Sequence, residues 1–363
     1  MDQPPRIGLN WRGTTLTRRS MLLGIGAVGA FLAVDLGAVA YANKWVAAGA
    51  TLTRDTFIAG FESVFGKHPG FRRNHAKGVA VVGYFDANGD GRELSRAAVL
   101  GQGRYPVTGR FSLTGGNPFV ADAPGAARGL GLAIGFPGAQ QWRTAMLNLP
   151  VFPDNSPRGF YDRMFASQVV AGTGKPDPAK MAAFLKAHPE TAAAMDVVKK
   201  HPPTPGFADS TYWGLNTFHL VADSGVRTPV RWSFVPRQAA FAAAANGDDV
   251  LFDALVRQLK TAPLQWELRF TVGAQDDPID PTLPWPSDRR VVDAGTLTLT
   301  AAETERAGNA RDVNFDPLVL PDGIEPSDDP LLSARSAVYA ASYRARTGEP
   351  KSAPAVQVDQ VAP

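Results

Sequence analysis

Two guanidinium groups and a phenol recur at helical spacing near the C-terminal end of the chain. Arg335, Tyr339 and Arg346 occupy positions i, i+4 and i+11 of PLLSARSAVYAASYRAR, residues 330–346. An α-helix over this segment would return the three side chains to one stripe. If that stripe is buried, its permanent cations need an anionic ligand. A solvated helix with scattered arginines is the alternative that this segment leaves open.

A single histidine precedes an apolar run in the first quarter of the chain. His75 is flanked by Arg72, Arg73 and Lys77 in FRRNHAKGVAVVGYF, and the β-branched residues that follow predict a buried strand. A neutral imidazole at such a point can accept a proton and return it. Taken alone, the segment is more typical of a histidine on a basic surface.

These residues need a scaffold, and the pattern predicts an antiparallel sheet or barrel with helices between its strands. Strands are expected where runs rich in Val, Phe, Thr and Trp are bounded by Gly, Pro or Asp: residues 78–85, 105–113, 129–136, 212–222, 229–235, 264–273 and 291–300. Helices are predicted from Asn43 to about Gly66, after the N-cap Asp177-Pro178, and over Asp248–Leu259. The tail 347–363 is Pro- and Ala-rich without periodicity, and we expect it to be disordered.

The composition removes several classes of site. The chain has no cysteine, which excludes disulfides, thiolate nucleophiles, iron–sulfur clusters and cysteine-ligated zinc or haem. Its five histidines lack the close spacing of a helical metal site. A formal net charge of +3 gives no reason to expect a nucleic acid. The 44% hydrophobic content is that of a globular protein with a sizeable core.

Residues 1–42 have the features of an export signal. Arg18 and Arg19 precede an apolar run rich in Gly and Ala that ends in Ala40-Tyr41-Ala42. This pattern predicts a signal for the twin-arginine export machinery, cleavage after the signal, and a location in the periplasm. The alternative is an uncleaved membrane anchor, which Asp35 disfavours because an ionised carboxylate is costly in hydrocarbon.

A stretch of 25 residues, Phe315 to Tyr339, resembles the haem catalase signature. It contains F-D-P, P-x-G-I-E, S-x-D and R-x-x-x-Y at the spacings of that family. Further segments resemble the family in the same order: residues 72–85, 109–112, 122–136, 148–152, 216–221 and 280–286. The chain is identified as a member of the catalase superfamily, in its small catalase-related peroxidase branch. The resemblance implies an α+β fold, an antiparallel β-barrel with surrounding helices, over residues 43–346.

The resemblance also implies a cofactor, haem b (iron protoporphyrin IX). Tyr339 would be the axial ligand of the iron, and the ferric ion and Arg335 would both favour its phenolate. Guanidinium groups match carboxylates and stay charged when buried. The residues that would hold the two haem propionates are Arg72, Arg110 and Arg346.

Catalytic roles follow from the same resemblance. His75 would take a proton from bound peroxide and return it to the leaving oxygen. Asn148 would hydrogen-bond the peroxide, and Ser112 would orient the other ring nitrogen of His75. Either Phe160 or Tyr161 would stack on the porphyrin.

The expected activity is that of a peroxidase. The chain is shorter than a typical catalase subunit, so the resemblance implies a wider pocket and a preference for organic hydroperoxides, hydrogen peroxide or both, with a small-molecule electron donor. Alternatives are a catalase that dismutates hydrogen peroxide, a hydroperoxide isomerase or dehydratase, and a non-enzymatic periplasmic haem-binding protein. The subunits of full-size catalases are held together by exchanged arms. No segment of this sequence resembles those arms, so a monomer or homodimer is expected.

Overall fold

The computed structural model describes residues 10–11, 14–15, 52–138, 140–240 and 247–362. The chain divides into two units, Met1–Leu52 and Thr53–Pro363. In the first unit Asn10–Trp11 pairs antiparallel with Thr14–Thr15, and the rest of the predicted export signal lies outside the described residues. The helices that are described include none of the length and apolarity that a membrane crossing requires.

Eight antiparallel strands form a closed barrel in the described part of the second unit. The strands of its sheet are β1 (Gly78–Ala87), β2 (Gly103–Leu113), β3 (Arg128–Ile134), β4 (Trp142–Leu147), β5 (Tyr212–Trp213), β6 (Phe218–Val221), β7 (Arg227–Pro236), β8 (Leu264–Val272), β9 (Val291–Glu303) and β10 (Ile324–Pro326). The hydrogen-bonded order is β8-β9-β1-β2-β3-β4-β5-β7, and the pairing of β7 with β8 closes the ring. Strands β6 and β10 extend the sheet beyond β7. The predicted antiparallel barrel is therefore confirmed.

Aromatic side chains fill the barrel interior. The ring of Phe111 lies 5.3 Å from that of Phe207 and 5.9 Å from that of Trp266, and all three residues are buried. Burial of one such side chain stabilises a fold by about 1.5–3 kcal/mol. Because side chains fill the barrel interior, a ligand has to bind outside it, between the barrel wall and the helices.

The described helices are α1 (Arg54–Phe65), α2 (Pro157–Ala166), α3 (Pro178–Ala187), α4 (Pro189–Lys199), α5 (Val250–Thr261) and α6 (Pro330–Gly348). Helix α6 begins where an aspartate N-cap is followed by proline: Asp329 Oδ1 accepts a hydrogen bond from the Leu331 amide at 2.9 Å. Helix α3 begins in the same way at Asp177, as predicted. Helix α1 contacts both α2 and α6, so these three helices share one side of the molecule.

Several elements differ from the sequence-based expectation. The strand predicted over residues 212–222 is divided into β5 and β6 by a turn in which Leu215 has a φ of 70°. Strand β4, with the sequence WRTAML, was not predicted, because Thr144 is its only β-branched residue. The helix predicted from Asn43 is observed from Arg54, and residues 43–51 lie outside the described part of the chain.

The C-terminal tail differs from the expectation that residues 347–363 are disordered. Helix α6 continues to Gly348, and the Glu349 carboxylate accepts hydrogen bonds from Arg73 and from the Gly70 amide, both at 2.9 Å. Farther along, three buried valines anchor the segment: Val356, Val358 and Val361. The segment forms one short 3-10 turn, Val358–Gln360, and the valines supply enough apolar burial to dock the chain.

Candidate active site

A cavity of about 450 Å³ lies between the barrel and helices α1, α2 and α6. This volume lies within the usual range of cofactor sites. Eight of the residues predicted from the sequence line it: Arg72, His75, Arg110, Ser112, Phe160, Arg335, Tyr339 and Arg346. They come from distant segments of the chain, so the fold alone brings them together.

Asn148 is the predicted site residue that does not line this cavity. It is buried between Leu147 and Leu149, which do line it. Asn148 Oδ1 accepts a hydrogen bond from the Arg128 amide at 2.7 Å. Its Nδ2 group is buried and has no hydrogen-bond partner among the described residues. Leaving a buried donor unpaired costs about 1–3 kcal/mol, so an acceptor that reached this amide would be stabilised.

The ring of His75 is tied to strand β2. Its Nδ1 lies 3.1 Å from Ser112 Oγ, because the β1–β2 register sets Gly78 opposite Ser112. Gly129 lies opposite Ser112 on β3, and a Cβ atom there would come within 3.0 Å of His75 Nδ1 and 2.9 Å of Ser112 Oγ. Only glycine leaves room for the histidine–serine contact at this point.

The imidazole of His75 is neutral at physiological pH. Burial lowers the pKa of His75 to about 3, and three neighbouring guanidinium groups, chiefly that of Arg110, act in the same direction. Since Nδ1 faces Ser112, Nε2 is the nitrogen that remains to exchange a proton in the cavity. Nε2 is therefore unprotonated, and free to act as a proton acceptor, over the whole physiological pH range.

Three arginines and one glutamate form a buried basic cluster, made of Arg72, Arg110, Arg346 and Glu305. Arg110 Nε and Nη2 donate to the two Glu305 oxygens at 2.9 and 3.0 Å. Arg72 Nη1 donates to the same carboxylate at 3.2 Å, whereas Arg346 Nη2 donates to the Val313 carbonyl at 3.1 Å. The sequence analysis did not predict Glu305, which lies 233 residues from Arg72 and 195 from Arg110 and has no local motif.

This basic cluster carries an excess of positive charge. Burial by itself would raise the pKa of Glu305, but Arg110 and Arg72 outweigh burial and lower it, so the carboxylate is ionised. Burial and the charge of Arg110 lower the pKa of Arg346 to about 10. Burial, followed by the charges of Arg110 and Arg346, also lowers the pKa of Arg72 well below its ordinary value. Because Arg72 donates to the ionised Glu305 carboxylate at 3.2 Å, and because arginine stays protonated in proteins, we count it as charged. At neutral pH the four groups then sum to about two positive charges. Two carboxylates of a ligand would balance them.

Tyr339 and Arg335 are both presented by α6. Tyr339 packs against a small apolar cluster that includes Phe315. One helical turn earlier, Arg335 Nη2 donates to the Ala145 carbonyl at 2.7 Å, and Nη1 donates to the side chain of Asn216. Asn216 Nδ2 in turn donates to the N-cap Asp329 at 2.7 Å. The start of α6 and its arginine are thus held in one network.

Aromatic and other apolar side chains of α1 and α2 form part of the remaining lining. Phe160 lines the cavity and stacks on Phe152, with ring centroids 6.0 Å apart. Tyr161 instead packs edge-on against Phe57 at 5.4 Å. The structure therefore favours Phe160 over Tyr161 as the aromatic that faces a ligand. The further apolar lining residues of these helices, which the sequence analysis did not predict, are Phe57, Phe61, Phe65 and Met164.

Comparison with known proteins decides the family. A model of the Catalase family matches residues 42–357. The chain belongs to the catalase family. It is 40% identical over 305 residues to a catalase-related peroxidase of Synechococcus elongatus, covering 82% of this chain and 89% of that one. A catalase-related peroxidase of Mycolicibacterium paratuberculosis is 33% identical, with 85% of this chain and 99% of that one covered. The predicted family and its catalase-related peroxidase branch are confirmed.

Solved catalase structures share the fold. A bacterial catalase superposes with a TM-score of 0.69 at 21% identity, over 83% of this chain and 62% of that one. Catalase A from Saccharomyces cerevisiae gives a TM-score of 0.69 at 20% identity, over 84% of this chain and 67% of that one. The prediction of a catalase-like α+β barrel is confirmed.

The lining residues of this catalase barrel fit the haem that the family implies. Catalases hold haem iron through a tyrosine, and Tyr339 supplies a phenol within the cavity. The surplus of about two positive charges in the basic cluster matches two propionates. Apolar rings such as that of Phe160 suit the flat faces of a porphyrin. Charge, donor chemistry and cavity size therefore agree with haem.

Proposed function

We propose that this protein is a haem peroxidase that reduces organic hydroperoxides, hydrogen peroxide or both, with electrons from a small-molecule donor. The observation that carries the proposal is the presence, on one cavity, of a neutral imidazole and a phenol. His75 is the proton-transfer group and Tyr339 the anionic ligand that such a reaction needs. Membership of the catalase family supports the same reading.

The cofactor would be haem b, held by residues of both the helices and the barrel. Tyr339 would hold the iron, with Arg335 one turn earlier on the same helix. Arg72, Arg110 and Arg346 would hold the propionates. Phe160 would lie against the porphyrin. When bound, the haem would supply an iron that passes electrons between donor and peroxide.

The chain itself would move the proton. Nε2 of His75 would take the proton of the peroxide and return it to the leaving oxygen, which allows heterolytic cleavage of the O–O bond. Ser112 Oγ, 3.1 Å from Nδ1, holds the ring in place for both transfers. Asn148 does not line the cavity in this structure; with a shift of its side chain, the unpartnered Nδ2 would donate a hydrogen bond to the peroxide.

Apolar side chains of the lining that the porphyrin leaves uncovered would favour organic hydroperoxides. Phenylalanines of α1 and α2 cover one side of the cavity, and transfer of alkyl groups from water to such a surface gains about 25 cal/mol for each Å² buried. Hydrogen peroxide has no apolar part and gains nothing from this surface.

The decisive assay uses the purified full chain loaded with haem. Consumption of hydrogen peroxide and of an alkyl hydroperoxide is measured with and without an electron donor, while oxygen release is recorded. A peroxidase consumes peroxide only as the donor is oxidised. Oxygen release without a donor would indicate a catalase. Loss of an organic hydroperoxide with neither oxygen nor oxidised donor would indicate an isomerase or dehydratase, and bound haem without turnover a carrier.

Export to the periplasm by the twin-arginine machinery is part of the proposal. It rests on Arg18, Arg19 and the Ala40-Tyr41-Ala42 site. Substitution of both arginines by lysine should keep the protein in the cytoplasm, and sequencing of the exported protein should find a new N-terminus near Asn43. An exported protein that retains residue 1 would favour an anchor. Light scattering of the purified protein tests the proposed monomer or homodimer.

A further inference from the structure

The backbone of His75 adopts a conformation that residues other than glycine rarely adopt. Its φ is 58°, a value in the left-handed region. This region costs an ordinary residue about 1–2 kcal/mol. Since such strain persists only where the surroundings enforce it, specific contacts must hold this residue.

The side chain of Asn74 supplies two of those contacts. Asn74 Oδ1 accepts hydrogen bonds from the amide of His75 at 3.0 Å and from the amide of Gly115 at 2.8 Å. Both partners are N–H donors, so the oxygen of the Asn74 amide must be the atom that faces them. The Ala76 amide then donates to the Gly115 carbonyl at 3.0 Å. The residues on both sides of His75, Asn74 and Ala76, are thereby hydrogen-bonded to Gly115.

The same short segment of chain holds the ring and the backbone. Ser112, which contacts Nδ1 of the ring, lies three residues before Gly115. On the carbonyl side of the residue, Arg110 Nη1 donates to the His75 oxygen at 2.7 Å. With Asn74 on its amide and Arg110 on its carbonyl, the His75 backbone is held at both ends. Loss of the Asn74 contacts would release the amide end, where φ is set.

We propose that Asn74 is a positioning residue for proton transfer by His75. Its amide oxygen holds the His75 backbone in the left-handed conformation that presents the ring to the cavity with Nδ1 on Ser112. This inference rests on the function proposed above, since it assigns Asn74 to the proton transfer of that reaction. Asn74 also lines the cavity, but its positioning role rests on the contacts of its Oδ1 with the amides of His75 and Gly115.

Two variants of the full chain separate positioning from bulk stability. Asn74→Ala removes both acceptor contacts. Asn74→Asp keeps an oxygen acceptor for both amides but adds a negative charge beside His75, which raises the pKa of that histidine above about 3. Asn117→Ala is the matched control, because exposed Asn117 likewise accepts from a backbone amide, that of Phe119 at 2.9 Å.

Activity and its pH dependence are the first readouts. Asn74→Ala should retain haem and lower the rate of peroxide cleavage by about tenfold to a hundredfold, since displacement of a reacting group by about 1 Å can cost a hundredfold. Asn74→Asp should recover most of that rate at neutral pH, with an acid limb displaced to higher pH. Asn117→Ala should match the wild type in both. If Asn74 had only a structural role, its substitution would change the unfolding temperature but not the acid limb of the activity–pH profile.

A crystal structure of each variant is the readout that does not depend on turnover. In Asn74→Ala the His75 φ should become negative or the ring should leave Ser112, and in Asn74→Asp both should remain. Retention of the left-handed φ and of wild-type turnover in Asn74→Ala overturns the inference. If Asn74→Ala does not fold, a folded Asn74→Asp with an unshifted acid limb overturns it instead. A wild type that binds haem but cleaves no peroxide contradicts the proposed function, while the crystal comparison still decides the role of Asn74.

Discussion

The two walls of the cavity are built in different ways. The barrel wall, made of residues 72–77 and the ends of β2 and β3, holds His75 through contacts between segments far apart in the sequence. The helix wall, the cavity-lining face of α6, carries Arg335, Tyr339 and Arg346 at spacings set by one helix. The comparison indicates a partial division of work: the barrel wall positions the group that would move protons and adds Arg72 and Arg110 to the basic cluster, whereas the helix wall supplies Arg346 and the proposed iron ligand, Tyr339.

The largest expected effect separates chemistry from cofactor binding on the barrel wall. His75→Gln should lower peroxide cleavage by about a thousandfold or more, because general acid–base catalysis contributes about 10²–10⁴-fold. The haem content should stay at the wild-type level, since the proposed contacts to haem lie elsewhere. Stopped-flow rates and haem absorption measure the two quantities. His201→Gln, at an exposed histidine, is the control, and equal rates in the two variants would remove His75 from the mechanism.

A helix-wall substitution should show the opposite pattern. Arg346→Leu removes one buried cation from the basic cluster and should raise the dissociation constant for haem by about tenfold to a hundredfold, as expected for a hydrogen bond between charged groups. Turnover per bound haem should change little. Haem transfer to apomyoglobin measures retention. Arg344→Leu, at an exposed arginine of the same helix, should retain haem normally. If both variants lost haem equally, Arg346 would have no specific role in binding it.

Ser112 tests how closely the barrel wall must hold the ring. Ser112→Ala deletes the oxygen 3.1 Å from His75 Nδ1 and should slow peroxide cleavage by about tenfold, in the lower range for loss of an orienting hydrogen bond. Ser233→Ala on β7 serves as the control. An undiminished rate in Ser112→Ala would mean that packing alone orients the imidazole.

The smallest expected effect is that of pH. Because the pKa of His75 is lowered to about 3, the imidazole stays neutral as pH falls from 8 to about 5 and becomes protonated only near pH 3. Turnover by the wild type should therefore be flat through pH 6.5, the ordinary pKa of histidine, and fall only in acid. A break near pH 6.5 that disappears in His75→Gln would show that the site leaves the imidazole with an ordinary pKa.

The same contrast explains what could be predicted from the sequence. The shared stripe of Arg335, Tyr339 and Arg346 follows from their i, i+4 and i+11 spacing, which is local. The spacing alone left a solvated helix open, and the roles of these residues came from family resemblance. The barrel wall depends on the register that sets Gly78 and Gly129 opposite Ser112, which no single segment specifies. There the roles of His75 and Ser112 came from family resemblance, and the contacts of Asn74 and Glu305 were not foreseen. Docking of the tail by Val356, Val358 and Val361 was missed because composition carries no information on long-range partners.

The most direct test of the account is the absorption spectrum of Tyr339→Phe beside those of the wild type and His75→Gln, each prepared from cells supplied with haem. The account predicts that the wild type and His75→Gln share the spectrum of tyrosinate-ligated ferric haem, and that Tyr339→Phe lacks that spectrum or loses the haem. A Tyr339→Phe spectrum indistinguishable from that of the wild type, at equal haem content, would contradict it.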